Sequence, residues 1–212
     1  MFRIRTFNQI SVKGLERFSR ECYEVASEIG TPDAILLRSH KLAEPEIGAS
    51  VKAVARAGAG VNNIPVDACT ARGIPVFNTP GANANAVKEL VAAALLLASR
   101  GIVEGISYVN SLSPDMPAVE MGALLEKEKK RFAGNELRGK TLGVLGLGSI
   151  GREVVLRARA FEMRIIANDP YVSSQTAADL NVELVSFESL LDQSDYITLH
   201  SASTPETRNM LN

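Results

Sequence analysis

Apolar positions recur along the first 80 residues in short β-rich runs. Met1-Phe2-Arg3-Ile4-Arg5-Thr6-Phe7 alternates like a strand, and further runs lie near Tyr23–Val25, Ala34–Leu37, Val51–Val54 and Ile74–Phe77, separated by helix-sized or turn-rich gaps. Strands spaced in this way predict a parallel sheet. Ser11 is placed to cap a helix running through Leu15 and Phe18. From Ala84 to Arg100 the chain carries helix formers that are apolar on nearly every face, which predicts a buried helix leaving a first lobe and packing between lobes or across a subunit interface. Gly101, Gly105 and the segment Ser111–Pro117 then read as linker or loop, so the lobes are expected at 1–100 and 101–212.

The second half is more regular. Its pattern predicts a strand at Thr141–Leu145, a helix at Ser149–Phe161, a strand at Met163–Ala167 and a helix at Ser174–Leu180. A strand at Val182–Val185, a helix at Phe187–Gln193 and a last strand at Tyr196–His200 follow. Ile150, Val154, Ala158 and Phe161 share the helix face that meets the sheet.

Composition narrows the class. At 212 residues with 46% apolar and 22% charged side chains, the profile is that of a globular protein of two lobes. Twenty-three basic residues against 24 acidic ones give a net charge of -1, which offers no general attraction for nucleic acid or an anionic membrane, so an anionic ligand must be held locally. The run Glu126-Lys127-Glu128-Lys129-Lys130-Arg131 reads as a solvated helix end. The longest apolar run, Val91 to Ala98, is far short of a bilayer span, and the N-terminus has no signal-peptide pattern, so a cytoplasmic location is expected. Cys22 and Cys69 lack metal or CxxC spacing, and no metal site is expected.

Gly146-Leu147-Gly148-Ser149-Ile150-Gly151 follows an apolar strand and opens a helix, and the next strand leads to Asp169. In that context G-x-G-x-x-G is a dinucleotide fingerprint. Gly146 permits the tight turn, Gly148 leaves room for a pyrophosphate, Gly151 lets helix and strand approach, and the helix N-terminus supplies N–H groups. Asp169 is suited to ribose hydroxyls and repels a 2′-phosphate, which favours NAD over NADP. The predicted fold is therefore α/β, with a flavodoxin-like lobe followed by an NAD-binding Rossmann lobe, both with parallel sheets. The second is expected to be incomplete, its fourth strand forming an apolar edge.

Several blocks, in order, resemble the D-2-hydroxyacid dehydrogenases. They are Arg56-Ala57-Gly58-Ala59-Gly60-Val61-Asn62-Asn63-Ile64, Gly73 to Pro80, Asn83 to Leu90, the Gly146 motif, and Leu199-His200 with Thr204-Pro205-Glu206-Thr207. Pro65 and Ser201-Ala202 depart from the family's usual Asp and Pro. Leu37-Arg38-Ser39-His40 and Asn78 to Asn85 look most like the members that oxidise 3-phospho-D-glycerate. The resemblance implies that the amides around Ala59, Gly60 and Val61 receive the substrate carboxylate, while Arg38 and Asn83 approach its phosphate. It also places Ser149, Ile150, Pro170, His200, Ala202 and Thr207 near the cofactor, with Ala59 and Val87 towards its nicotinamide end.

The activity implied is NAD-dependent oxidation of 3-phospho-D-glycerate to 3-phosphohydroxypyruvate, the opening step of serine biosynthesis, by a cytoplasmic homodimer acting on a small 2-hydroxy or 2-oxo acid. Two alternatives stay open: a dehydrogenase of another D-2-hydroxy acid, and a non-catalytic NAD-binding scaffold. The family's catalytic Arg, Glu and His are expected downstream of the Thr207 block, beyond Asn212. His40 and His200 sit in other blocks, so no catalytic residue is assigned within these residues and turnover by this chain alone is not expected.

Overall fold

In the computed structural model, which describes residues 1–211, every strand pair is parallel. The first unit, Met1–Asn83 with the chain from Ser203 onward, opens with β1 (Phe2–Phe7), α1 (Val12–Leu15), β2 (Tyr23–Ala26) and β3 (Ala34–Leu37). It continues through β4 (Ala53–Arg56), α2 (Val66–Ala71) and β5 (Val76–Phe77). The sheet order is β2-β1-β3-β4-β5, the flavodoxin-like order expected. Ile35, Leu37, Val54 and Cys69 are fully buried in its core, as strands covered on both faces require. Burial also pushes the Cys69 thiol pKa up, which keeps it an inert packing group.

Three local expectations are corrected. The helix at Ser11 stops after one turn, and Ser11 makes no side-chain capping bond. Gly14 sits inside that turn, where it weakens a helix by about 1 kcal/mol. β4 begins at Ala53 rather than Val51, whose N–H is taken by a local turn to Gly48. β5 begins only after Pro75, which has no N–H to give but whose carbonyl accepts from Val54.

The second unit, Ala84–Ala202, holds α3 (Ala84–Ser99), α4 (Ile102–Asn110), α5 (Ala118–Glu128), β6 (Thr141–Leu145) and α6 (Ser149–Ala160). Then come β7 (Arg164–Asn168), α7 (Ser174–Asp179), β8 (Glu183–Leu184), α8 (Phe187–Gln193) and β9 (Tyr196–Leu199). The sheet order is β8-β7-β6-β9, and central β6 is buried at every position. Ser173 and Ser186 cap α7 and α8 by accepting the N–H of Thr176 (3.2 Å) and Ser189 (3.1 Å). α6 turns Val154, Val155 and Ala158 into the core. Ile197 and Leu199 of the edge strand β9 are partly exposed.

α3 differs from its predicted character. Only Ala84, Lys88, Leu95 and Ser99 are buried, one stripe at helical spacing, while Leu90 is 70% exposed. The helix also groups with the second unit, so the division falls at Ala84 rather than near Gly101. The reason is its packing: Val91 and Leu95 join the cluster around Leu142 and Val154. Lys88, only 6% exposed, meets Glu153 of α6 at 3.3 Å and the side chain of Asn85. Part of the expected linker is helical too, because Ile102 to Asn110 forms α4 before the turn at Ser111. Its apolar residues Ile102, Val103, Ile106 and Val109 are exposed.

Candidate functional site

The turn after β6 is set by its glycines in three different ways. Gly146 has φ +92°, a conformation L side chains rarely adopt, and a Cβ there would lie 2.8 Å from the Ser201 nitrogen and 2.9 Å from the His200 carbonyl carbon. The end of β9 is held against this turn by His200 N–H, which donates to the Leu145 carbonyl at 2.7 Å. Gly151 approaches the turn so closely that a Cβ would be 2.0 Å from the Gly146 oxygen. Gly148 is different, because a Cβ there would meet no protein atom within 4 Å and its backbone is extended. Nothing in the protein's own packing demands that glycine, whereas a ligand laid against the backbone does.

Leu147, between the two glycines, is fully buried in the second unit's core. Its N–H donates to Asp169 Oδ2 at 2.7 Å, and Asp169 Oδ1 accepts from Tyr171 N–H at 2.9 Å. The half-buried carboxylate therefore ties the glycine turn to the turn after β7, keeping further lone pairs for an outside donor. Pro170 beside it is exposed. The N–H groups of Gly148, Ser149 and Ile150 donate to no acceptor among the described residues, and the first turn of α6 contains no acidic side chain. These features fit a diphosphate at the helix start and ribose hydroxyls at Asp169.

His200 is half-buried, its Nε2 lies 2.8 Å from Thr198 Oγ1, and burial lowers its pKa, favouring the neutral ring. Ala202 is exposed, and Val87 is half-buried on α3. Thr207 lies after Ser203 and therefore falls with the first unit, where its hydroxyl accepts from Thr204 N–H at 2.8 Å. The sequence reading missed Gly143, where a Cβ would lie 2.2 Å from Ser194 Oγ. A glycine within an apolar strand was its only signal.

In the first unit, the loop after β4 has its carbonyls turned inward. Gly58 O accepts from Thr79 N–H (2.9 Å), Ala59 O from Asn78 Nδ2 (2.7 Å), Gly60 O from the Arg56 guanidinium and Val61 O from Ile64 N–H (2.9 Å). The N–H groups of Ala59, Gly60 and Val61 have no acceptor among the described residues. Arg38 is exposed at the end of β3. Its carbonyl accepts from Arg56 Nε (2.9 Å) and Asn63 Nδ2 (3.2 Å), and Asn8 holds the following two amides, of Ser39 and His40, at 2.9 and 2.6 Å. His40 stacks on Phe7 and reaches Glu46 at 3.0 Å; the Ala43 N–H, then His40, hold that carboxyl below its ordinary pKa. Asn83 is exposed, and its side chain caps no amide among the described residues.

Residues 92–212 match the family described as D-isomer specific 2-hydroxyacid dehydrogenase, NAD binding domain. A D-3-phosphoglycerate dehydrogenase from Archaeoglobus fulgidus is 39% identical over 207 residues, covering 96% of this chain and 36% of the relative. A hydroxypyruvate reductase from Thermotoga maritima is 38% identical over 192 residues, 89% of this chain and 58% of the relative. Among solved structures, NAD+-bound 3-phosphoglycerate dehydrogenase of Entamoeba histolytica superposes with a TM-score of 0.72 at 26% identity, covering 97% of this chain and 64% of that one. The chain spans about a third of the length of the phosphoglycerate dehydrogenases it matches.

Proposed function

Because this chain belongs to the D-isomer-specific 2-hydroxyacid dehydrogenases, we propose that it forms the substrate-binding lobe and the NAD-binding domain of an enzyme oxidising 3-phospho-D-glycerate to 3-phosphohydroxypyruvate. The single observation that carries the substrate reading is the loop Gly58–Val61, whose carbonyls are all occupied within the protein while three successive amides stay available for a carboxylate. Arg38, with its backbone fixed on both sides, then supplies a fork for the phosphate, and Asn83 a neutral donor beside it. In the second unit, Gly146, Gly148, Ser149, Ile150 and Gly151 cradle the diphosphate, and Asp169 with Pro170 takes the adenosine ribose. Val87, His200, Ala202 and Thr207 line the remainder of the cofactor. NAD, when bound, supplies the hydride acceptor.

A role in serine biosynthesis and a cytoplasmic location go with this activity. A homodimer is favoured by the partly exposed apolar side chains of α3 and α4, among them Leu90, Leu96, Ile102 and Ile106. A second reading, a reductase of unphosphorylated hydroxypyruvate, is favoured by the Thermotoga maritima relative. Binding of 3-phospho-D-glycerate and of D-glycerate, compared side by side, separates the two. We expect at least a tenfold preference for the phosphorylated acid, largely lost in Arg38→Met, since charge-assisted hydrogen bonds are worth about 1.5–3 kcal/mol. Equal behaviour of the two acids sinks the phosphate role of Arg38.

A further inference from the structure

Arg152 breaks a local rule. It lies at the end of the first turn of α6, whose N-terminal end already carries partial positive charge, and a cation there is unfavourable by itself. Among the described residues no carboxylate pairs with it. Instead its side chain folds back towards the glycine turn, where Nε donates to the Leu147 carbonyl at 2.8 Å. Its own backbone N–H takes the next carbonyl, that of Gly148, at 3.1 Å.

The consequence follows from peptide geometry. The chain contains no cis peptide bond among the described residues, and in a trans peptide the carbonyl and the following N–H point in opposite directions. Fixing the Leu147 carbonyl on Arg152 therefore turns the Gly148 N–H away from the Arg152 side chain, and that N–H meets no acceptor among the described residues. Asp169 grips the same residue from its other side by accepting the Leu147 N–H. Resting on the NAD reading of this unit, we propose that Arg152 is a positioning residue for the dinucleotide: its hydrogen bond to Leu147 fixes the Gly148 N–H for the diphosphate. The guanidinium opposes the helix end until an anion occupies it, so the residue's local cost is recovered only with ligand bound.

The test is a set of titrations of the chain with NADH, ADP-ribose and adenosine, in wild type, R152M, R152Q and R152K. Gln keeps an N–H donor without charge, Met keeps neither, and Lys keeps both charge and donor. The expected result is a loss of about tenfold in ADP-ribose and NADH affinity in R152M, with R152Q and R152K holding most of it and adenosine binding unchanged in all four. If R152Q falls as far as R152M while R152K does not, the effect is charge alone and the positioning role is overturned. Unchanged ADP-ribose affinity in R152M, or an equal loss for adenosine, overturns it as well. Wild-type chain that fails to bind ADP-ribose overturns the dinucleotide reading itself, an outcome distinct from failure of the variants.

Discussion

Leu147 is an apolar side chain placed between a buried glycine, Gly146, and an exposed one, Gly148, and it is wholly inside the core. The glycines around it were legible in the sequence because a missing side chain has few explanations when it follows a strand and opens a helix. The position of Asp169 beside the glycine turn was legible for the same reason of context. Leu147, Arg152 and Arg56 were not, since their roles consist of carbonyls and amides gripped at particular angles, which no residue pattern encodes. Lys88 was likewise hidden, because a lysine on an apolar helix reads as exposed until its partner Glu153 is located on another element. At this scale the sharpest prediction concerns Asp169. Asp169→Ala should lower the ratio of NAD to NADP affinity about tenfold or more, because the carboxylate both accepts ribose hydroxyls and repels a 2′-phosphate. The ratio is the diagnostic quantity, since loss of the Leu147 contact alone would weaken both dinucleotides alike. An unchanged ratio would remove Asp169 from the ribose site.

Elements were recovered best where buried strands alternate with capped helices. β6 and α8 have the predicted bounds, and the other second-sheet elements differ by a residue or two. The misreadings share a cause: composition describes how apolar a helix is, not which faces a partner covers. α3 is rich in apolar residues yet buried along one stripe, and the glycines at 101 and 105 bracket or sit within α4 instead of breaking it. The start of β6 carries a testable electrostatic clasp. Asp195 Oδ2 accepts the Thr141 N–H at 2.8 Å with Lys140 nearby, and that backbone bond first, then Lys140, holds the carboxyl below its ordinary pKa. A depressed folded-state pKa contributes stability that is present above the unfolded-state value, about 3.9, and is lost as pH falls through the folded value. Urea midpoints of wild type and Asp195→Asn should therefore differ at neutral pH and converge in acid. A gap that stays constant from neutral to strongly acid conditions contradicts the clasp.

For the whole molecule, length, charge balance and the two rhythms of apolar residues sufficed for the fold class and for two units. The boundary between them was displaced because assigning α3 depends on which core receives Leu95, a long-range fact. Each unit has a buried cluster of its own, one around Ile35, Leu37 and Val54 and the other around Leu142, Val144 and Val154. This separation has a calorimetric consequence. We expect the two cores to melt as two cooperative events, with a ligand raising chiefly the melting temperature of the event that destroys its site. NADH at a hundredfold excess over its dissociation constant should displace the second unit's transition by several degrees, through about 2.7 kcal/mol of linkage, and move the other less. A phosphorylated hydroxy acid should do the reverse. Heat absorption alone thus assigns each ligand to its half of the chain without any turnover being measured.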